Sequence, residues 1–209
     1  MNASPPAAKK PRTRIQKKNR KTILDAALDV FSQNGFRGST LDQIARAAGL
    51  SKPNLLYYFP SKEAIHVELL SCLMDTWLDP LRALDPAGEP KREILSYVRR
   101  KLGMSRDYPR ESRLFANEIL QGAPRIRKAI RGELKDLVDE KAEVIRGWSA
   151  RGAIARVNPH HLIFSIWALT QHYADFDVQV RLILEDRESD PFPEAERYLE
   201  TLFDKLLTP

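Results

Sequence analysis

TLDQIARAAGLSKPNLLYYFPSK, residues 40–62, is the stretch that decides the fold of this chain. Thr40 and Gln43 have the S/T-x-x-E/Q spacing of a capping box, in which a hydroxyl and an amide satisfy backbone donors at a helix start. Leu41, Ile44, Ala45 and Ala48 recur at helical spacing and form one apolar stripe. Gly49 falls where a helix end needs a residue that tolerates positive φ. Ser51 caps a second helix, and Pro53 lies in its first turn, where a missing N–H is harmless. Pro60 disfavours the helical region for Phe59, so this helix stops near Tyr58. Two short helices joined by such a turn make a helix-turn-helix, whose second helix is sized for a DNA major groove.

Direction sharpens that reading. At about 100° per residue, Leu55, Leu56 and Phe59 fall on a packed side, with Pro53, Asn54, Tyr57 and Tyr58 facing outward. An asparagine and two tyrosines left in water suit a binding face, since their amide and hydroxyl groups bond phosphate oxygens and base edges. The competing view is an ordinary helical pair with a tyrosine-rich exterior. Charge separates the two. Residues 1–62 hold twelve Lys/Arg against Asp25, Asp29 and Asp42, a net of +9. The whole chain is +6, so the remaining residues carry −3. Positive charge gathered at the helix-turn-helix end is the footprint of a polyanion-binding module joined to something else.

The 209 residues, 43% of them hydrophobic, suit one or two domains with a core. No run of 18 apolar residues marks a membrane helix, and no apolar stretch near the N-terminus marks a secretory signal. Cys72 is the single cysteine, so no intrachain disulfide forms and a reducing cytoplasm is the expected home. A soluble cytoplasmic chain with no membrane partner is the expectation.

Helical periodicity and Pro/Gly punctuation divide the chain further. Residues 1–18 read as a disordered basic arm, residues 19–60 as the helix-turn-helix domain and residues 61–209 as a second helical domain. A first helix over 19–34 buries Ile23, Ala26, Ala27, Val30 and Phe31 and ends at Gly35. A helix from Ser61 to about Leu84 follows, then a loop at 85–90 and helices near 91–107, 109–121, 125–151, 158–186 and 193–207. No alternating strand pattern competes, so the fold class is all-α. The 158–186 helix has two apolar stripes, Phe164-Trp167-Gln171-Ala174-Val178 and Leu162-Ile166-Leu169-Tyr173-Phe176. A surface helix needs only one stripe, so this one is sandwiched, either in the middle of its own domain or between its domain and a partner subunit. The last helix carries Ala195, Tyr198, Leu199, Leu202, Phe203 and Leu206 on a single face. Together they suit a four-helix interface in a homodimer, which also matches the reading of palindromic half-sites.

The three-helix N-terminal unit ending in Leu55-Leu56-Tyr57-Tyr58-Phe59-Pro60-Ser61-Lys62-Glu63, followed by a helical domain, resembles the TetR family of bacterial transcriptional regulators. The segments 105–109 (SRDYP), 112–115 (SRLF) and 167–176 (WALTQHYADF) are similar to a branch of that family that answers to pyrimidines. The resemblance implies an N-terminal DNA-binding domain plus a C-terminal ligand-binding and dimerisation domain. It implies a dimeric repressor on double-stranded operator DNA, released when a small-molecule effector such as uracil or thymine shifts the helix that begins near Ser61. Thr40, Ser51, Lys52, Asn54, Tyr57, Tyr58 and Lys62 would meet DNA, with Thr40, Tyr58 and Lys62 on phosphates and Lys52, Asn54 and Tyr57 nearest the bases. Trp77, Trp167 and Gln171 would hold the effector, joined by Asn117 and Tyr173. The chemistry is coherent: Gln171 can match a C(O)–NH edge with two hydrogen bonds, and the tryptophans can cover ring faces. Trp167 and Gln171, four apart, share one helix side. Asp175 is expected at the stripe's edge.

Three rival readings compete with this one. A greasy pocket for lipophilic cations or fatty-acyl ligands would keep the DNA-binding half. A non-specific architectural protein would leave the acidic C-terminal part unexplained. An enzyme finds little support. Gly147-Trp148-Ser149-Ala150-Arg151-Gly152 lacks the G-x-S-x-G spacing and the strand of a nucleophile elbow. His160 and His161 point about 100° apart on a helix, His66 and His172 stand alone, and no metal-ligand or phosphate-loop motif occurs. Neither a cofactor nor a metal is expected.

Overall fold

The computed structural model describes residues 14–185 and 190–209, and within them every regular element is helical. The chain divides into two compact units, residues 1–66 and 67–209. Residues 1–13, thirteen of the eighteen expected to form the basic arm, lie outside the described residues.

In the first unit α1 runs Arg14–Gly38, α2 Leu41–Ala47 and α3 Lys52–Tyr58, and α4, Lys62–Arg82, begins here. Helix α1 starts five residues before the expected Asn19, so Arg14 to Lys18 are helical rather than part of a disordered arm. Its regular part ends where expected, because Gly35 adopts φ 66° and ψ 173°. Asn34 and Ser39 then bind the freed carbonyls of Val30 and Gly35. The helix-turn-helix has the expected devices. Thr40 Oγ1 accepts from the Gln43 N–H at 3.2 Å while Gln43 Oε1 accepts from the Thr40 N–H at 2.7 Å. Ser51 Oγ accepts from Asn54 N–H, and Gly49 takes φ +67° between the helices. Ile23, Ala27, Phe31, Ile44, Leu55, Phe59 and Ile65 close the core at 0–1% exposure. His66, 2% exposed, packs edge-on against Phe31 and Phe36 and is a core histidine.

The second unit holds the rest of α4, then α5 (Pro90–Asp107), α6 (Pro109–Leu120), α7 (Arg127–Ala129), α8 (Lys135–Ala150), α9 (Pro159–Asp175), α10 (Asp177–Ile183) and α11 (Phe192–Leu207). Helix α5 is central, packed between α9 and α11, with Ile94, Tyr97, Val98 and Leu102 facing Leu162, Ile166, Leu199 and Phe203 in one core. Two expected helices are interrupted. The 125–151 segment widens over Ile130–Leu134 and bends at Gly132 (φ −97°, ψ −107°). The 158–186 segment breaks at Phe176 (φ −115°, ψ 27°), and an Arg181–Asp177 pair at 2.7 Å supports the new helix. That break removes Val178 from the stripe of α9, and Val178 is exposed. Helix α11 also departs from expectation: its apolar residues form two faces. Ala195, Leu199, Phe203 and Leu207 point inward, while Tyr198 and Leu206 remain 62% and 45% exposed. No helix among the described residues is long and apolar enough to cross a membrane.

Candidate functional site

Helix α3 presents its outer face as expected at most positions. Thr40, Ser51, Lys52 and Asn54 are exposed, and Tyr57 is 70% exposed. Lys52 Nζ pairs with Asp42 Oδ2 at 2.8 Å, both of them in solvent, so its charge is available at little cost. Three positions differ. Leu56, expected to pack, is 39% exposed, because Leu55 and Phe59 four residues apart already fill the inward side. Tyr58 is half-buried, and its hydroxyl accepts from Asn19 Nδ2 at 2.7 Å. Lys62 is half-buried, and its ammonium donates to the Phe36 and Ser39 carbonyls at 2.7 Å each. It also lies 4.4 Å from the Phe36 ring centroid. A lysine bound to two backbone carbonyls ties down the turn after α1; in this arrangement its donors are not aimed at a phosphate.

Helix α1 braces the recognition helix through residues the sequence did not single out. Gln16 Nε2 donates to Tyr57 Oη at 3.2 Å, and Arg20 Nη1 donates to the Tyr58 carbonyl at 2.6 Å. The Arg20 guanidinium also stacks on Phe59, 4.0 Å from its ring centroid. A basic residue that repeats at helical spacing looks like a solvated charge in sequence; only packing reveals it as a clamp.

The second unit contains a small recess and a larger cleft that share part of their lining. The recess, about 50 Å³, is lined by Met74, Trp77, Leu78, Lys101, Phe115, Leu134, Trp167 and Gln171. The cleft, about 690 Å³, shares Phe115, Leu134, Trp167 and Gln171 and adds Arg113, Asn117, Ile119, Leu120 and Asp175 among others. Its size lies within the range usual for small-molecule sites. Trp77 is buried, and Trp167 is half-buried with its indole N–H donating to Tyr97 Oη at 2.6 Å. Burial holds the Tyr97 phenol well above its ordinary value, opposed by the Trp167 bond. Gln171 lies one turn from Trp167 and lines both spaces, as expected. Asn117 lines only the cleft.

Tyr173 is a correction. It points to the opposite side of α9, its ring 6.0 Å from Phe192, because two steps along the helix from Gln171 turn it about 200°. Its phenol is raised by burial and by Tyr198. Asp175 is more than an edge residue: its carboxylate lines the cleft, accepts from Ser112 Oγ at 2.6 Å and is raised by burial. Lys101 was not anticipated. It is 2% exposed, and its ammonium lies 5.5 Å from the Trp77 ring centroid. Desolvation pushes it down to about 7, against the pull of Asp175. A sequence signal existed: Ile94, Tyr97, Val98, Lys101, Leu102 and Ser105 recur as one helical stripe, so a lysine stands where the pattern asks for an apolar residue.

Other polar groups that sequence patterns raised are engaged structurally. Ser149 Oγ donates to the Ala155 carbonyl, Trp148 is fully buried, and His160 Nε2 meets Asp139 Oδ1 at 3.0 Å. Among the described residues no cluster of three metal-ligating side chains occurs.

Residues 23–69 match the bacterial regulatory proteins of the tetR family, and residues 70–209 match the YcdC-like protein C-terminal region. The chain belongs to the TetR family, and it is a helix-turn-helix transcriptional regulator. Among individual relatives it is similar to the HTH-type transcriptional regulator RutR of Escherichia coli (strain K12). The two are 52% identical over 172 residues, which cover 82% of this chain and 81% of RutR. Solved structures agree in fold at lower identity. A regulatory protein in the tetR family from Rhodococcus RHA1 superposes with a TM-score of 0.71 at 18% identity, covering 91% of this chain and 97% of the other. AibR in complex with isovaleryl coenzyme A and operator DNA gives 0.68 at 18% identity, covering 91% and 99%.

Proposed function

We propose that this protein is a cytoplasmic, homodimeric repressor of pyrimidine catabolism or transport, released from a palindromic operator by a small pyrimidine such as uracil or thymine. The observation that carries the effector half is the convergence of Trp77, Trp167 and Gln171 on one recess. A flat ring with a C(O)–NH edge is matched by the Gln171 carboxamide, and the two indoles cover its faces. The RutR likeness and the 105–115 and 167–176 segments support the same class. The recess of about 50 Å³ is far smaller than the roughly 300 Å³ at which small-molecule sites begin. A ring entering from the cleft therefore displaces lining side chains, among them Trp77 and Met74 of α4. That displacement is the differential contact a ligand needs to shift an equilibrium. Helix α4 starts at Lys62 beside the turn that follows α1, so its movement reaches the DNA-binding unit. A coupling of about 1–3 kcal/mol is typical.

For DNA, α3 supplies Lys52, Asn54 and Tyr57 to base edges, with Thr40 and Ser51 on the backbone and Tyr58 and Lys62 setting the helix's position. For dimerisation, Phe164 on α9 and Tyr198 and Leu206 on α11 offer apolar area left open in one protomer. The apolar cleft with Ile119, Leu120 and Ile130 favours a second reading, a larger acyl-type effector; AibR, a neighbour in fold, carries an acyl coenzyme A. Calorimetric titration with uracil, thymine and dihydrouracil, with cytosine as control, tests the proposal. Saturable uracil or thymine binding that is lost in Gln171→Ala with the fold intact supports it; silence from all four overturns it.

A further inference from the structure

We infer that Lys101 is the specificity-determining residue of the recess, a buried donor that selects a ring with a second carbonyl oxygen beyond the C(O)–NH edge and excludes one with an amino group there. The inference rests on the pyrimidine reading and deepens it. Lys101 sits on the inward stripe of α5, 2% exposed, and lines the same recess as Gln171, Trp77 and Trp167. A charged side chain almost never occupies such a position unless it is paired. Asp175, the carboxylate whose field reaches it, is itself held by Ser112 Oγ at 2.6 Å. The Trp77 ring at 5.5 Å gives only the partial relief of a cation–π contact. An electron-rich oxygen brought by the ligand supplies what the protein leaves incomplete.

Division of labour follows from the bonding inventory. Gln171 both donates and accepts, so it reads an edge with one donor and one acceptor. The protonated lysine only donates, and a carbonyl oxygen brought against it favours that protonated form. A 2,4-dioxo ring satisfies both groups, with one carbonyl beside the ring N–H on Gln171 and the other carbonyl on Lys101. A ring with an amino group at the second position sets donor against donor and leaves a buried ammonium unmatched. Sites built to hydrogen-bond a substrate group reject the analogue that cannot bond much more strongly than apolar pockets reject a change of size.

The test uses full-length protein, uracil and cytosine as titrants, and the variants Lys101→Met and Lys101→Gln, with circular dichroism as the folding control. Wild type is expected to favour uracil. In Lys101→Met uracil affinity falls about ten- to a hundredfold, the worth of one charge-assisted bond, while cytosine affinity does not fall, so the ratio collapses. Lys101→Gln, whose carbonyl accepts an amino donor, gains cytosine binding, and it carries the test alone if the methionine variant does not fold. An unchanged uracil-to-cytosine ratio in the variants overturns the assignment of Lys101 and leaves the pyrimidine reading standing. Equal weakening of both ligands likewise overturns it, because it marks a purely structural lysine. A wild type that takes up neither uracil nor thymine overturns the effector reading and this inference together.

Discussion

Tyr97→Phe removes one oxygen from the molecule, and its consequences follow from a single bond. Tyr97 is 2% exposed in the core of the second unit, and its hydroxyl accepts the Trp167 indole N–H at 2.6 Å. Deleting that oxygen leaves the ring packing intact but strands the indole donor. A buried unsatisfied donor costs about 1–3 kcal/mol. Trp167 is half-buried and borders the cleft, where water can reach the N–H, so the lower part of the range applies, about 1–1.5 kcal/mol. For a unit of this size that is a fall of about 3–6 °C in Tm. Trp167 also loses the contact that fixes its ring plane against the recess, so uracil affinity drops by several-fold with the Gln171 contact retained. Urea unfolding followed by tryptophan fluorescence reads the stability, and calorimetry reads the affinity. A variant as stable as wild type, with the same fluorescence maximum and the same uracil affinity, would refute the claim that the Tyr97 bond positions Trp167.

The DNA-binding unit and the buried lysine make further expectations. Lys62→Met should destabilise the first unit by about 1.5–3 kcal/mol, the scale of hydrogen bonds from a charged donor, and should leave the salt dependence of operator binding unchanged. A drop of about 0.9 in the log–log salt slope would instead place Lys62 on a phosphate. Thr40→Ala breaks the capping box and should cost about 1 kcal/mol, measured by urea unfolding. Asn54→Ala should weaken operator binding by about 1–3 kcal/mol while non-specific DNA affinity holds; equal losses on both DNAs in a fluorescence-anisotropy titration would contradict a base contact. Lys101 binds its proton less tightly when folded, at about 7, than in the unfolded chain at about 10.4. Between those values the unfolded state holds more protons, so stability rises with pH across that window. The difference in urea midpoint between pH 7 and pH 9 should therefore shrink in Lys101→Met, and an identical pH dependence in both proteins would count against a buried titrating lysine.

The boundaries of the helix-turn-helix, its capping box and its glycine turn were legible in the sequence because they depend on neighbours three or four residues away, which sequence order specifies directly. For the same reason Trp167 and Gln171 could be placed on one side of a helix, and the basic end of the chain could be assigned to DNA. What order alone did not contain is which long-range partner each polar group meets. Lys62 and Arg20 are basic residues in a basic segment, yet they bind carbonyls 26 and 38 residues away in sequence. Tyr173 lies on the stripe of α9 opposite Gln171, which spacing alone shows, but that its stripe meets Phe192 while the Gln171 stripe lines the cleft was decided by the packing of distant segments. Lys101 was visible as an interruption of a stripe, but α5 had to be sandwiched between α9 and α11 before that interruption became a buried cation beside Trp77. Local periodicity establishes the elements; desolvation and partner geometry, which exist only once distant segments meet, decide which of their side chains form a site.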